Sequence, residues 1–554
     1  MPRTTPRRAA LGALALLLAA VAGCTGGSPV RPGPGASGSS GQALSPTSTP
    51  GTLRILAGSE LQDLQPVLDD AQKATGVSVK FTFTGTLDGA DTVAGGKADG
   101  AYDALWFASD HYLRLDPRSG GKLLSETPVM VSPVAVGVRT SLLPTLGWDP
   151  AKVTWSQIGD AVQQGRLTFG MTDPSRSNSG LSALVGLASA FSGAQAALTE
   201  ADVAKASPAL RAFFGGQKLT SGSSGWLAQA YQRSAQGGSG TAVGALVNYE
   251  SVLLSLNRTL PGDAQLTVIR PTDGLVTADY PLSLLSSAPQ SAKDDFARLT
   301  AYLLRPEVQR KISDTTERRP VTTGVAPGPG LATDPRPELP FPGSQSVADA
   351  LLAAYQNELR RPSRTVYVLD TSGSMAGDRL TALKAALGIL TGSGDTRAVN
   401  RFRDREEVTL ISFADDVKWE KVHQVPATAP EAELASIAAD VQSLSAQGGT
   451  AIYSTLEAAY REVAKQQAAA NDDRFTSIVL MTDGESNEGA GAKDFADFYQ
   501  ALPASGKAVP VFPILFGEGA KDQLQGIADT TGGKLFDGMS GSLTGVFEEI
   551  RGYQ

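Results

Sequence analysis

The sequence predicts an α/β protein made of two globular regions, about residues 51–325 and 363–554. Three observations carry that reading. Short apolar runs alternate with longer runs of helical periodicity in both regions, as strands joined by crossover helices do. A Pro- and Gly-rich stretch from Val325 to Gln345 divides them. At 554 residues the chain is also too long for one ordinary core.

Composition narrows the function classes. The formal charge of −8 argues against nucleic-acid binding, which needs a basic face. Cys24 is the only cysteine, so neither an intrachain disulfide nor a cysteine-based metal site can form. His111 and His423 are the only histidines, which leaves little for zinc or histidine-based catalysis. The balance favours binding over chemistry, and no enzyme is expected.

At the N-terminus, Arg3, Arg7 and Arg8 precede an apolar stretch from Ala9 to Ala22, too short to span a membrane. Charged, apolar and then small residues describe a secretory signal. Val21-Ala22-Gly23-Cys24 resembles a lipobox. The resemblance implies a signal peptide over 1–23, a lipid on Cys24, and a chain anchored on the extracellular face of the cell membrane. An ordinary signal peptide with an incidental cysteine is the alternative. Residues 24–50, mostly Gly, Ser, Pro and Thr, cannot bury a core and read as a flexible tether.

In the first region the strand candidates are Thr52–Ala57, Val77–Thr84, Ala104–Phe107, Pro133–Val138 and Leu167–Met171. Helix candidates include Leu61–Thr75 and Leu181–Ala190. Tyr102–Ser109, Val131–Val138, Thr172–Gly180 and Phe296–Ile312 resemble stretches of type 2 periplasmic solute-binding proteins. In order, they resemble the cleft-lining strand, the strand entering the second lobe, a loop before a helix, and the closing helices. The resemblance implies a two-lobed periplasmic-binding-protein-like domain over 51–325 that takes a small solute. Its second lobe would run from about Arg139 to Arg270, with a return strand near Val276–Leu284.

Ser59, Ser109, Ser177, Ser179 and Ser224 stand at strand-to-helix loops and are the candidate ligand-binding residues. Free N–H groups at helix starts favour an anion or a polar oxygen there. Each serine could instead simply cap its helix. Glu60, Asp173 and Glu250 lie beside these loops and would repel a dense anion. Residues 326–362 read as a stiff Pro-rich linker and a connecting helix. The stripe Val347, Leu351, Leu352, Tyr355 and Leu359 predicts that this helix packs on a neighbouring domain.

The second region, 363–554, has strand candidates at Thr365–Leu369, Val408–Phe413, Ser477–Met481, Val509–Phe516 and Lys534–Phe536. Helix candidates are Arg379–Leu390, Glu431–Leu444, Ile452–Gln467, Lys493–Leu502, Asp522–Thr530 and Ser542–Arg551. This alternation predicts a doubly wound sheet, which binds ligands beyond the carboxyl ends of its strands. Asp370 ends the first of these strands, and Ser372 and Ser374 follow at alternate positions. Thr450 precedes a helix and Asp483 follows another strand. Carboxylate and hydroxyl oxygens brought to one point suit a hard divalent cation.

D-x-S-x-S with a distant Thr and a distant Asp resembles the metal-ion-dependent adhesion site (MIDAS) of von Willebrand factor type A domains. The resemblance implies a Rossmann-like type A domain holding Mg²⁺, or Mn²⁺ or Ca²⁺. Ser372 and Ser374 would ligate it directly, Thr450 directly or through water, and Asp370 and Asp483 largely through waters. A protein partner would offer an acidic side chain to the exchangeable position. Gly373 and Gly484 are expected to permit the tight loops beside the ion.

Two catalytic readings fit poorly. A D-x-D-x-T phosphatase needs a carboxylate where Ser372 stands, although Lys384 and Thr482–Gly484 keep the comparison open. A serine hydrolase needs a G-x-S-x-G elbow with a histidine, which the cluster around Ser372 lacks. The expected function is divalent-cation-dependent protein–protein binding at the cell surface. The rival reading is a solute receptor of a transport system, with the type A domain as a docking accessory. A third is an assembly factor acting on a metal or cofactor of a partner.

Overall fold

The computed structural model describes residues 51–236, 242–392, 401–470, 474–517 and 519–538, with Val546, Phe547 and Ile550. The signal segment, Cys24 and the tether lie outside the described residues, as does most of the helix predicted over Ser542–Arg551. Among the described residues no helix is long and apolar enough to cross a membrane.

The first region contains, in chain order, β1 (Gly51–Ala57), β2 (Val77–Phe83), β3 (Ala104–Trp106), β4 (Leu123–Pro128), β5 (Met130–Arg139) and β6 (Phe169–Thr172). It continues with β7 (Gln217–Ser221), β8 (Ala245–Tyr249), β9 (Leu266–Ile269), β10 (Thr277–Ala278), β11 (Pro281–Leu285) and β12 (Arg319–Pro320). One lobe is built on the sheet β2-β1-β3-β11-β4, the other on β10-β5-β8-β6-β7, with β9 and β12 also paired to β5. The chain crosses between lobes from β4 into β5 through Val129, from β10 into β11 through Asp279 and Tyr280, and back again between β11 and β12, which pairs with β5. The return strand expected near Val276–Leu284 is therefore two strands, one in each sheet. The bend falls at Tyr280, whose φ of 41° is uncommon outside glycine. Trp106 Nε1 holds that bend by donating to the Tyr280 carbonyl at 3.2 Å.

The stretch 326–362 is not a free linker. The Leu275 N–H donates to the Pro337 carbonyl at 2.9 Å, and the Leu339 N–H to the Leu275 carbonyl at 2.7 Å. Prolines bring no N–H to satisfy, so a few such bonds pin an extended segment. Leu339 joins the core of the first region. The helix Gln345–Ala354 and the turn after it add Val347, Leu351, Leu352, Tyr355 and Leu359 to that core, as the stripe predicts.

The second region forms one sheet from β13 (Ser363–Asp370), β14 (Glu407–Phe413), β15 (Val417–Gln424), β16 (Phe475–Thr482), β17 (Val511–Leu515) and β18 (Phe536–Asp537). Its order is β15-β14-β13-β16-β17-β18. All neighbours are parallel except β15, an antiparallel edge strand on β14 that sequence reasoning missed. Successive residues face opposite sides. Tyr367, Leu369, Leu410 and Met481 meet the helices Asp378–Leu390 and Glu431–Gln442. Val366, Val368, Ile411 and Leu480 meet Ile452–Ala470, Ala492–Ala501 and Lys521–Thr531. Helices on both faces explain why the central strands read as unbroken apolar runs.

The two regions meet at the amino ends of β13 and β14, the ends opposite Asp370. Arg403, just before β14, pairs with Asp173 of the first region at 3.2 Å, and each side chain is 2% exposed. Burial alone would push the Asp173 carboxyl up, but Arg403, Ser175 and Arg176 outweigh it and hold the group below the usual carboxylate range. Arg360 pairs with Glu406 at 2.9 Å. Arg361 Nη1 donates to the Gln217 carbonyl at 2.9 Å. Lys534 Nζ lies 3.8 Å from the centre of the Trp226 ring.

Candidate metal centre

β13 and β16 are adjacent and parallel, with Leu369 opposite Met481, so Asp370 and Asp483 emerge side by side. From β13 the chain moves outward to β14 and β15, then returns to β16 on the other flank of β13. The direction of strand addition reverses there, which opens a crevice beyond the carboxyl ends.

Within the crevice one row of oxygens forms. The Ser372 N–H donates to Asp370 Oδ1 at 2.8 Å, curling the loop back on its own carboxylate. Ser372 Oγ and Ser374 Oγ lie 3.0 Å apart. Ser374 Oγ donates to Asp483 Oδ1 at 2.8 Å, and Thr482 Oγ1 to Asp370 Oδ2 at 2.6 Å. The structure thus brings together Asp370, Ser372, Ser374 and Asp483.

The Thr450 loop is tied to the same place. The Gly373 N–H donates to the Gly448 carbonyl at 2.9 Å, and the Gln447 N–H to the Thr371 carbonyl at 2.8 Å. Asn487 Oδ1 accepts from the Thr450 N–H at 2.8 Å, while the Thr450 hydroxyl makes no hydrogen bond to a described residue. Glycine is required at Gly448, where φ is 90° and a Cβ would come 2.4 Å from Asp415 Oδ2. Neither Gly373 nor Gly484, the positions expected to need it, has a left-handed φ.

The donor set fits a hard divalent cation. It offers two carboxylates and three hydroxyls, with no nitrogen or sulfur. Oxygens about 2.1 Å from a common Mg²⁺ and at right angles lie about 2.9 Å apart, close to the spacings in this row. Burial and the charge of Asp483 push the Asp370 carboxyl above the usual range despite bonds from Thr482 and Ser372. A cation relieves both effects. Among the described residues no three His, Cys, Asp or Glu side chains cluster for a metal, so a centre here depends on its hydroxyls.

Residues 53–315 match the family model of the bacterial extracellular solute-binding proteins, and residues 366–548 that of the von Willebrand factor type A domain. The chain joins a solute-binding domain to a type A domain. Uncharacterized protein sll0103 of Synechocystis sp. is 30% identical over 209 residues, 37% of this chain and 45% of its own. Inter-alpha-trypsin inhibitor heavy chain H3 of Homo sapiens is 34% identical over 161 residues, 28% of this chain and 16% of its own. The matched parts span less than half the length of these relatives. The periplasmic binding protein AfuA of Actinobacillus pleuropneumoniae aligns at a TM-score of 0.44 and 15% identity, over 56% of this chain and 99% of that one.

Two cations of the type A domain escaped sequence reasoning. Arg379, in the first turn of the helix after the D-x-S-x-S loop, donates to Asp483 Oδ2 and, at 3.2 Å, to the Ser374 carbonyl. Its position two residues into a helix was the only signal. Lys418, on the missed strand β15, donates to the Thr371 and Gln447 carbonyls at 3.1 Å each and so bridges the two loops. Arg379 competes with a metal for Asp483. Arg379→Ala should tighten Mg²⁺ binding by about 1 kcal/mol, roughly fivefold, when titrated by calorimetry, because the pair is partly exposed.

In the solute-binding domain, Ser179 Oγ lies 2.7 Å from Ser224 Oγ, 3.1 Å from Ser177 Oγ and 2.8 Å from Thr172 Oγ1. Ser59 Oγ is buried with no hydrogen-bond partner among the described residues, and a Cβ on Gly225, next to Ser224, would lie 3.7 Å from it. Ser109 Oγ accepts from the His111 N–H at 3.3 Å within its own loop, which leaves its hydroxyl proton available. The expected repulsion from acids is also reduced, since Asp173 pairs with Arg403 and Glu250 with Arg319 and Arg270.

Beside Ser109, Asp110 is buried and its carboxyl is pushed up to about 7 by desolvation, against a bond from Ser283. The folded state therefore holds this proton over a pH range where the unfolded chain has released it. That contribution is complete below the usual carboxylate range and is lost as pH rises toward about 7, at no more than about 1.4 kcal/mol per pH unit. Asp110→Asn should flatten the fall of stability between about pH 5 and 7 in urea titrations.

Proposed function

We propose that the chain is a lipid-anchored cell-surface protein whose type A domain binds partner proteins through a divalent cation. What supports this reading above all is the row Asp370–Ser372–Ser374–Asp483 at the carboxyl ends of two adjacent parallel strands. Ser372, Ser374 and Thr450 would hold Mg²⁺ by their hydroxyls, and Asp370 and Asp483 would balance its charge. The bound ion supplies an exchangeable position for a carboxylate of the partner. Cys24 would carry the lipid that holds the chain at the membrane.

The test is calorimetric titration of the full chain with MgCl₂. One Mg²⁺ per chain, reversed by EDTA, is expected. No binding of Mg²⁺, Mn²⁺ or Ca²⁺ at millimolar concentration would remove the reading. Retention of the chain in the membrane fraction should be lost in Cys24→Ala.

A second reading, a solute receptor with the type A domain as its docking accessory, is favoured by Ser59. A buried hydroxyl without a partner beside a cluster of hydroxyls is a place where a polar solute supplies the missing bond. A thermal-shift screen of sugars, amino acids, peptides and oxyanions in EDTA tests it, since any true ligand raises the melting point.

A further inference from the structure

Residues 337–359 lie across both lobes of the solute-binding domain. On the lobe of β5, Ser189 Oγ donates to the Pro340 carbonyl at 2.9 Å, and the Leu198 N–H to the Phe341 carbonyl at 3.2 Å. Thr277 donates through its N–H and its hydroxyl to the two carboxylate oxygens of Glu338, at 2.7 Å each. On the lobe of β1, the Phe341 ring meets the His111 ring with centres 5.3 Å apart. Tyr112 Oη, on the same helix as His111, donates to Asp349 Oδ1 at 3.2 Å. The segment then returns to the first of these lobes, where the Tyr355 ring packs edge-on against Phe214 at 5.0 Å.

This crossing lies beside the lips of the cleft. β2 is the edge strand opposite β4, the strand from which the chain first leaves its lobe. In the loop after β2, a Cβ on Gly85 would come 2.5 Å from the Arg176 carbonyl of the other lobe. Arg176 also pairs with Asp88 at 3.0 Å, so the lips touch. Leu87 and Tyr112 from one lobe, Ser175 from the other, and Gln345, Asp349 and Leu352 of the segment line a single cavity of about 320 Å³. Opening about a hinge moves each lobe as a body, so a segment fixed to both must release one of them. To the polar contact at the lips it adds apolar packing, since Leu351, Leu352 and Tyr355 are buried.

We propose that residues 337–359 are a strap that holds the two lobes closed and so gates entry to the cleft. The strap continues through Arg360 and Arg361 into β13, which makes it the covalent link between the cleft and the type A domain.

The test measures the distance between spin labels on Lys80→Cys, exposed on β2, and Gln164→Cys, exposed on the other lobe, in the full chain carrying Cys24→Ser. The otherwise unchanged chain should give one narrow distance distribution. The triple variant Phe341→Ala/Asp349→Ala/Leu352→Ala, with every change on the strap, should shift that distribution to longer distances and broaden it. Asp88→Ala, which breaks the ion pair at the lips, should keep the parent distance. A broad distribution in the parent, or the parent distance in the triple variant, would overturn the proposal. A shift in Asp88→Ala as large as that of the triple variant would overturn it too, because the lips would then hold the lobes. Should the triple variant fail to fold, Tyr112→Phe with Phe341→Leu, which keep the buried volume, decides in its place by the same outcomes. Distances are read with no solute and no Mg²⁺ added, so the result stands apart from both readings of function.

Discussion

Arg403→Ala should cost the folded protein about 3–5 kcal/mol, measured by urea unfolding at neutral pH. The pair it breaks is almost wholly excluded from water on both sides. The variant leaves the Asp173 carboxylate buried, with Ser175 and Arg176 as its remaining favourable neighbours. Most of the loss is that stranded charge, so Asp173→Asn placed in the Arg403→Ala background should recover a large part of it. Arg403→Met with Asp173→Leu should lie near the parent, since apolar side chains of similar volume replace a buried pair at little cost. A loss below about 1 kcal/mol in Arg403→Ala is what an exposed pair gives, and would mean that the two domains do not dock this way in solution.

Asp370→Asn should abolish the stabilisation by Mg²⁺ while leaving the metal-free protein at least as stable as the parent. At a Mg²⁺ concentration one hundred times Kd the parent should gain about 2.7 kcal/mol, and the variant nothing. The asparagine keeps both bonds of the aspartate: its carbonyl accepts from Ser372, and its amide donates to a rotated Thr482 hydroxyl. What it removes is a buried charge facing Asp483, whose desolvation already pushes the Asp370 carboxyl above the usual range. Loss of the Mg²⁺ response together with a collapse of the metal-free fold would instead make Asp370 a structural residue.

Much of this was legible because local pattern and global fold agree. Val366–Leu369 is apolar at every position because helices cover both faces of β13. A carboxylate and two spaced hydroxyls where such a strand ends leave few other readings. β15 was not legible, since an edge strand open to solvent has little apolar signal; Lys418, Glu420 and Lys421 interrupt it. The Pro-rich stretch read only as a stiff linker because backbone bonds pin it to the lobe, and those leave no side-chain trace. Arg403 and Asp173 stand 230 residues apart, a separation no local pattern can bridge.

The placement of the domain junction has a mechanical consequence. β13, eight residues long, puts Asp370 roughly 23 Å from Ser363, the end beside the junction. On the proposed reading, tension between a partner at Asp370 and an anchor before Gly51 would run down β13 and leave the type A domain among Arg360, Arg361 and Arg403. Along the strands, the ladders of β14 and β16 on either side of β13 share the strain across many bonds at once. Among the described residues the junction resists it with ion pairs, the bond from Arg361 to the Gln217 carbonyl and the contact of Lys534 with the Trp226 ring. Under such force the domains would be expected to part before either fold unravels, with the Pro-rich segment peeling off the lobe on which it lies.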